Sequence, residues 1–324
     1  MRGYFLILLL VCLFGSSCLL PYAFTVSKAA EISELPYEAS HHIVIDDIPL
    51  HYQLLEPSEN PIRGSVLLVH GLGGSSYSFM KVAPVLQHAG YRVVSVDLPG
   101  FGYSSRLVTG DYSQKQRANL LWQLLSRLDE RSESWHLVGH SMGGGTVAAM
   151  AVDQPHRTQS VVFIAGALED QHIPGQNLIL FPPFTRWVQL YLERNLLQED
   201  RVARILEEAY HRNPTEEEVI AYLEPLQIPG TARSLTRMVV TSESVNLSTL
   251  SDLSMPATGI WGEYDTIVPL SQAYTIARYM NQFVLYRITG AGHIPMETHE
   301  RITAQILLDH LDRSQVTGTL SNKK

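Results

Sequence analysis

The chain has 324 residues, 45% apolar and 17% charged, which is enough apolar content for a sizeable core in one large domain or two ordinary ones. Acidic residues number 32 against 24 basic, a formal net charge of -8. That balance, with no basic run longer than Lys323-Lys324, excludes an electrostatic grip on nucleic acid, which needs concentrated Lys and Arg to neutralise phosphates.

The first thirty residues differ from the rest. Arg2 precedes an apolar stretch from Tyr4 to Leu20, broken only by Gly15, Ser16 and Ser17. Ser27-Lys28-Ala29 places small residues where a signal peptidase reads, which predicts a signal peptide over 1–29 cleaved before Ala30. Two other readings stay open. Left uncleaved, a run of ~17–20 apolar residues is long enough to anchor the chain in a bilayer. Lipid attachment at Cys18 is the third, although Gly15 stands where a large aliphatic residue is expected. Each reading is extracytoplasmic: secreted, periplasmic, or membrane-anchored with the remainder outside. Cys12 and Cys18 are the only cysteines, so a cleaved chain has neither disulfide nor thiol chemistry.

From Ser40 onward short β-rich runs alternate with amphipathic ones. His41–Ile45 and Ile48–Leu55 read as an antiparallel pair turning at Asp46-Asp47. Val66–Val69 is a continuous aliphatic run, as in a strand buried on both faces. A helix is predicted over Phe79–Ala89, then a strand at Val93–Val96 and a helix from an N-cap at Ser113 to Leu128. A strand at His136–Val138, a helix over Met142–Val152 and a strand at Val161–Ala165 follow. After 168–250, which shows only helical patterns (Thr185–Leu197, Glu199–Tyr210, Thr215–Leu226), the alternation resumes. Thr258–Trp261, Leu270–Met280, Phe283–Ile288 and Glu300–Leu311 read as strand, helix, strand and helix. This order predicts an α/β class with a mostly parallel central sheet covered by helices on both faces, plus a helical cap insertion. The predicted parts are a core over 30–167 and 251–315, a cap over 168–250 and a polar tail over 316–324. Such sheets bind ligands beyond the carboxyl ends of their strands, and every motif below falls at one of those ends.

Gly139-His140-Ser141-Met142-Gly143 lies between a predicted strand and helix. In such a sharp turn the serine is strained and its hydroxyl projects over the sheet, while a Cβ at Gly139 or Gly143 would collide with its neighbours. The helix N-terminus beneath favours the negative charge of acyl transfer. His70-Gly71-Leu72-Gly73-Gly74 follows the Val66–Val69 strand, and Leu72 is the candidate to share oxyanion binding with the Met142 backbone N–H. A dinucleotide fingerprint competes for this loop, but Ser76 stands where its third glycine belongs. Asp97-Leu98-Pro99-Gly100-Phe101-Gly102 reads as a structural loop at the mouth of the site, with Asp97 a secondary candidate for a triad acid. Asp265 is the main candidate, since it follows a buried strand at the expected chain position. Glu263 beside it, and Glu169 and Asp170, are alternatives. Gly290-Ala291-Gly292-His293 puts a histidine after the last strand, in a turn expected to be mobile. His293 completes the order Ser, Asp, His. No HExxH or paired-Cys spacing marks a metal site.

At these residues the sequence resembles the α/β-hydrolase superfamily, from about Ser40 to Leu311, with the HGLGG, DLPGFGYS, GHSMGG, GEYD and GAGH elements in the family's order. The resemblance implies Ser141, Asp265 and His293 as catalytic triad, Leu72 and Met142 as oxyanion donors, and no cofactor or metal. It is closest to small capped esterases, lipases and carbon–carbon bond hydrolases. Ser141 argues against the dehalogenases and epoxide hydrolases, which use Asp as nucleophile. The expected activity is cleavage of a small-molecule ester or lipid. Carbon–carbon bond hydrolysis or acyl transfer on the same triad, and a non-degradative receptor role on the same fold, are the alternatives. The cap's Leu178-Ile179-Leu180-Phe181, Phe184, Trp187, Leu190 and Tyr191 are candidates for packing the cap, lining an acyl pocket or meeting lipid. His140, Phe184 and Trp187 are taken as the substrate-contacting candidates.

Overall fold

A computed structural model describes residues 19–24, 35–57, 62–106, 110–128, 134–168, 179, 181–241 and 245–321. The predicted signal-peptidase site, Cys12, Cys18, Glu169, Asp170, Leu178 and Leu180 lie outside the described residues.

The β-branched and aliphatic runs form eight strands: β1 (Ser40–Ile45), β2 (Ile48–Leu55), β3 (Gly64–Val69), β4 (Tyr91–Val96), β5 (Trp135–His140), β6 (Thr158–Ile164), β7 (Ala257–Gly262) and β8 (Phe283–Ile288). They make one sheet in the order β1-β2-β4-β3-β5-β6-β7-β8. The β1–β2 and β2–β4 pairs are antiparallel and the rest parallel. Asp46 and Asp47 both take positive φ, which gives the β1–β2 hairpin a tight turn matched to strand twist.

The aliphatic run of β3 explains the layering. Val66 and Leu68 pack into the core on one face of the sheet, Leu67 and Val69 into the core on the other. Helices α1 (Ala83–His88) and α10 (Glu300–Ser321) cover the first face; α2 (Gln114–Leu128), α3 (Met142–Asp153) and α8 (Ser271–Tyr279) cover the second. The last helix runs ten residues past the predicted Leu311 and takes up most of the expected polar tail. The Phe79–Ala89 prediction resolves into a 3-10 turn at Ser76–Phe79 and the shorter α1, since Pro84 sits in the first turn of α1.

Between β6 and β7 the chain leaves the sheet for four helices: α4 (Pro182–Tyr191), α5 (Glu199–Tyr210), α6 (Glu216–Gln227) and α7 (Thr231–Thr241). A five-residue π-helical turn, Leu192–Leu196, ends α4. Thr215 and Glu218 cap α6 reciprocally, each side chain accepting the other's backbone N–H. Helix α7 has no counterpart in the predicted elements. Its sequence, TARSLTRMVVT, is rich in β-branched residues, whose low helix propensity hides a helix formed by packing. A final short helix, α9 (Pro295–Thr298), lies between β8 and α10.

Candidate active site

The turn from β5 into α3 carries Ser141 at φ 50 and ψ -120, a strained conformation for a residue with a side chain. The neighbouring glycines permit it. A Cβ at Gly139 would sit 2.3 Å from the Gly143 carbonyl oxygen, and one at Gly143 would sit 2.4 Å from that of Val69. The first turn of α3 is therefore pressed against the ends of β3 and β5, which fixes Ser141 above the sheet. Met142 opens the helix, and its N–H is among the unbonded donors of the first turn.

Two strands further along the sheet, β7 ends at Gly262 and the following turn presents Asp265. Its Oδ2 lies 2.9 Å from His293 Nδ1, with the carboxylate side chain 1% exposed. Its Oδ1 accepts the backbone N–H groups of Ile267 (3.0 Å) and Val268 (2.9 Å). A carboxylate offers only lone pairs, so Nδ1 of His293 donates and Nε2 is left bare to act as a base. Glu263 turns away to bond Arg287 (2.8 Å) and the Gly290 N–H (3.2 Å), stabilising the loop.

Asp97, the other acid considered, is fully buried and spent elsewhere. Its carboxylate takes His51 Nδ1 at 2.7 Å, the Ser76 N–H at 2.6 Å and the Tyr103 N–H at 2.7 Å. Desolvation opposes its ionisation, but these bonds and the neighbouring His51 and His70 together hold its carboxyl below the usual range. It ties the β1–β2 hairpin and the 3-10 turn to the loop after β4.

Ser141 and His293 share the wall of a cavity of about 300 Å³ with Gly71, Leu72 and His140. The cap completes it with aliphatic side chains, among them Leu197, Val202 and Leu206. The loop after β3, Ser141 and His293 therefore converge on one apolar space, at the lower end of the size range for ligand cavities.

The three proposed substrate contacts come out differently from one another. His140 borders the cavity, but its Nε2 lies 3.0 Å from the His293 carbonyl oxygen and donates to it. Its Nδ1 is buried without a hydrogen-bond partner. Burial, reinforced by the facing His293 ring, keeps this imidazole neutral by lowering its pKa far below the usual range. Phe184 and Trp187 do not border the cavity. They stand on α4, 53% and 37% exposed.

The turn before His293 also departs from its expected mobility. A Cβ at Gly292 would lie 2.4 Å from the Ala209 carbonyl oxygen. That glycine is needed because the end of cap helix α5 approaches this closely, and Ala209 accepts the His293 backbone N–H at 2.6 Å. Sequence reasoning missed Ala209 because a backbone acceptor leaves no residue signature. Among the described residues, no group of three or more His, Cys, Asp or Glu side chains is placed to hold a metal ion.

Comparison with known proteins agrees with this architecture. Residues 64–300 match the family model for the alpha/beta hydrolase fold. The uncharacterized hydrolase YugF of Bacillus subtilis (strain 168) is 29% identical over 271 residues, covering 82% of this chain and 96% of its own. Among solved structures, epoxide hydrolase CorEH superposes with a TM-score of 0.71 at 18% identity, over 85% of this chain and 98% of its own. A bacterial membrane phospholipase A superposes with 0.69 at 21% identity, over 97% of this chain and 99% of its own. With a match across well over half its length, the chain belongs to the α/β-hydrolase family.

Proposed function

We propose that this hydrolase cleaves carboxylic esters with apolar acyl groups through an acyl-enzyme on Ser141. The observation that carries the reading is the convergence of a strained Ser141 and an Asp265-oriented His293 on the wall of one apolar cavity. In the first step His293 Nε2 takes the Ser141 proton as Oγ attacks the carbonyl carbon. The oxyanion is met by the N–H groups of Leu72 and Met142. His293 then gives the proton to the leaving alkoxide, and the acyl-enzyme remains. Water, deprotonated by the same Nε2, releases the acid. Ser141 stands where epoxide hydrolases carry Asp, which favours acyl transfer chemistry over epoxide opening.

A specific observation favours work at a lipid surface. A 3-10 turn at Leu20–Ala23 packs beside α4, where Arg186 donates to the Pro21 carbonyl (3.2 Å) and to that of Phe24. Leu19, Leu20, Tyr22, Phe181, Phe184 and Tyr191 are all exposed there. Leu19 and Leu20 end the apolar stretch that begins at Tyr4 and Tyr22 follows it, so an anchored chain would present this face to the bilayer. Among the described residues, no helix is long and apolar enough to cross a membrane.

The test is turnover of nitrophenyl esters from roughly two to sixteen carbons, the span an apolar cavity of this kind is expected to sample. A clear chain-length optimum with free acid as product supports the reading. Transfer of the acyl group to added alcohol in preference to water replaces hydrolysis by acyl transfer. Tight ester binding without turnover favours a receptor.

A further inference from the structure

The end of cap helix α5 holds the catalytic loop twice. Ala209 accepts the His293 N–H at 2.6 Å, and the next residue, Tyr210, donates its phenol to Oε2 of Glu297. Glu297 lies four residues beyond His293, on α9, and is 3% exposed. From the next cap helix, α6, Tyr222 donates to Oε1 of the same carboxyl at 2.5 Å. The Tyr222 oxygen is also 2.9 Å from Ser78 Oγ, on the 3-10 turn just after the oxyanion loop. One buried carboxyl thus joins cap helices α5 and α6 to the segment that carries His293.

We propose that Glu297 is a positioning residue for His293, holding the end of α5 through Tyr210 so that Ala209 keeps its bond to the His293 backbone. The inference rests on the Ser141–Asp265–His293 reading. A purely structural cap joint would sit anywhere on the cap–core boundary. This one sits one residue from the bond to His293 on the cap side and four residues from it on the core side.

The charged and titratable groups around the carboxyl make its ionisation a readout. Tyr210 faces it from α5, Tyr222 and Glu218 from α6, and Ser78 and Tyr77 from the 3-10 turn. Arg212, between the cap helices, is bonded to both oxygens of Glu218. Lys81 donates to the Glu297 backbone carbonyl at 2.8 Å and lies 3.9 Å from Glu218. Arg212 is thus engaged by Glu218, and Lys81 bonds the Glu297 backbone with Glu218 beyond hydrogen-bond distance. Burial wins over the phenol bonds and pushes the Glu297 carboxyl up from 4.5 to about 7. The rise comes from burial and not from the phenol bonds, so the advantage of the closed, buried arrangement over an open one is full below about 4.5 and is lost as pH rises through about 7.

The experiment measures kcat and KM on a soluble short-chain ester against pH for the wild type, Glu297→Gln, Tyr210→Phe and Ser141→Ala. The wild type is expected to lose kcat on the alkaline side of about 7. Glu297→Gln, neutral throughout, keeps the acid-side kcat within about three-fold and lacks the alkaline fall. Tyr210→Phe, which removes one oxygen, lowers kcat about ten-fold or more with KM little changed and the melting temperature held within a few degrees. If Glu297→Gln fails to fold, Tyr210→Phe carries the test through its kcat against KM. Unchanged kcat and an unchanged pH profile in the folded variants would overturn the inference. Full activity in Ser141→Ala would instead overturn the catalytic reading beneath it.

Discussion

Replacing Gly292 by alanine perturbs the cap–catalytic-loop contact without touching any side chain of the site. The added Cβ would lie 2.4 Å from the Ala209 carbonyl oxygen, 2.9 Å from the Tyr210 carbonyl carbon and 3.1 Å from the His211 nitrogen. All three are backbone atoms, so no rotamer change can relieve the clash. Restoring an ordinary contact of about 3.4 Å forces the two backbones roughly 1 Å apart, with His293 on one of them. A displacement of that size at a catalytic group costs on the order of 100-fold in rate, or about 2.7 kcal/mol in the barrier. Overpacking of this kind also costs about 1–3 kcal/mol of stability. In a chain of this size that lowers the melting temperature by roughly 2–4 °C per kcal/mol. The assay is kcat/KM on a short nitrophenyl ester, normalised to melting profiles that establish the folded fraction. A folded Gly292→Ala variant within about three-fold of wild type would refute the argument that the end of α5 holds His293 in place.

Three further outcomes are expected. Asp265→Asn should lower kcat by about 10⁴-fold through the wrong imidazole tautomer, with little change in melting, because Asn still accepts from Ile267 and Val268; a loss under ten-fold contradicts the role of Asp265. Burial depresses His136 to about 4 and His310 to about 3. The unfolded chain binds protons there that the native state refuses, so stability is full above about 6.5. It then falls with a slope approaching about 1.4 kcal/mol per pH unit for each histidine, until the folded values are reached. Urea midpoints between pH 7 and 4.5 read this slope, and a His310→Gln variant that retains all of it contradicts the assignment. Replacing Phe184 and Trp187 together by serine should cut turnover of esters in vesicles about ten-fold while sparing soluble short esters, since both lie outside the cavity; equal losses on both substrates refute the lipid-surface role.

The sheet was legible in the sequence wherever one strand alone carries the signal. Val66–Val69 announces a strand buried on both faces, and Phe283–Ile288 appears at its predicted bounds. The three proposed catalytic residues stand out for a related reason: each lies at a strand end next to glycines or a turn, so local context marks it. What was not legible depends on partners far apart in the chain. Glu297, within Pro295-Met296-Glu297-Thr298, stands in no motif that the sequence marks. Only the fold brings it Tyr210 and Tyr222, 87 and 75 residues away. His140, an expected substrate contact, borders the cavity and also bonds the His293 carbonyl, 153 residues on, a link no local pattern marks. Phe184 and Trp187 were chosen by their apolar character, which does not distinguish a cavity wall from an exposed face. Gly292 was read for flexibility, when the approach of another backbone is what requires it.

The central claim, that Ser141 is a nucleophile activated by His293, is tested most directly by mapping a fluorophosphonate adduct by mass spectrometry. The account predicts a single modification on the peptide carrying Gly139-His140-Ser141-Met142-Gly143, lost in Ser141→Ala and slowed strongly in a folded His293→Ala variant. A well-folded wild type that takes no label, or takes it at another serine, would contradict it.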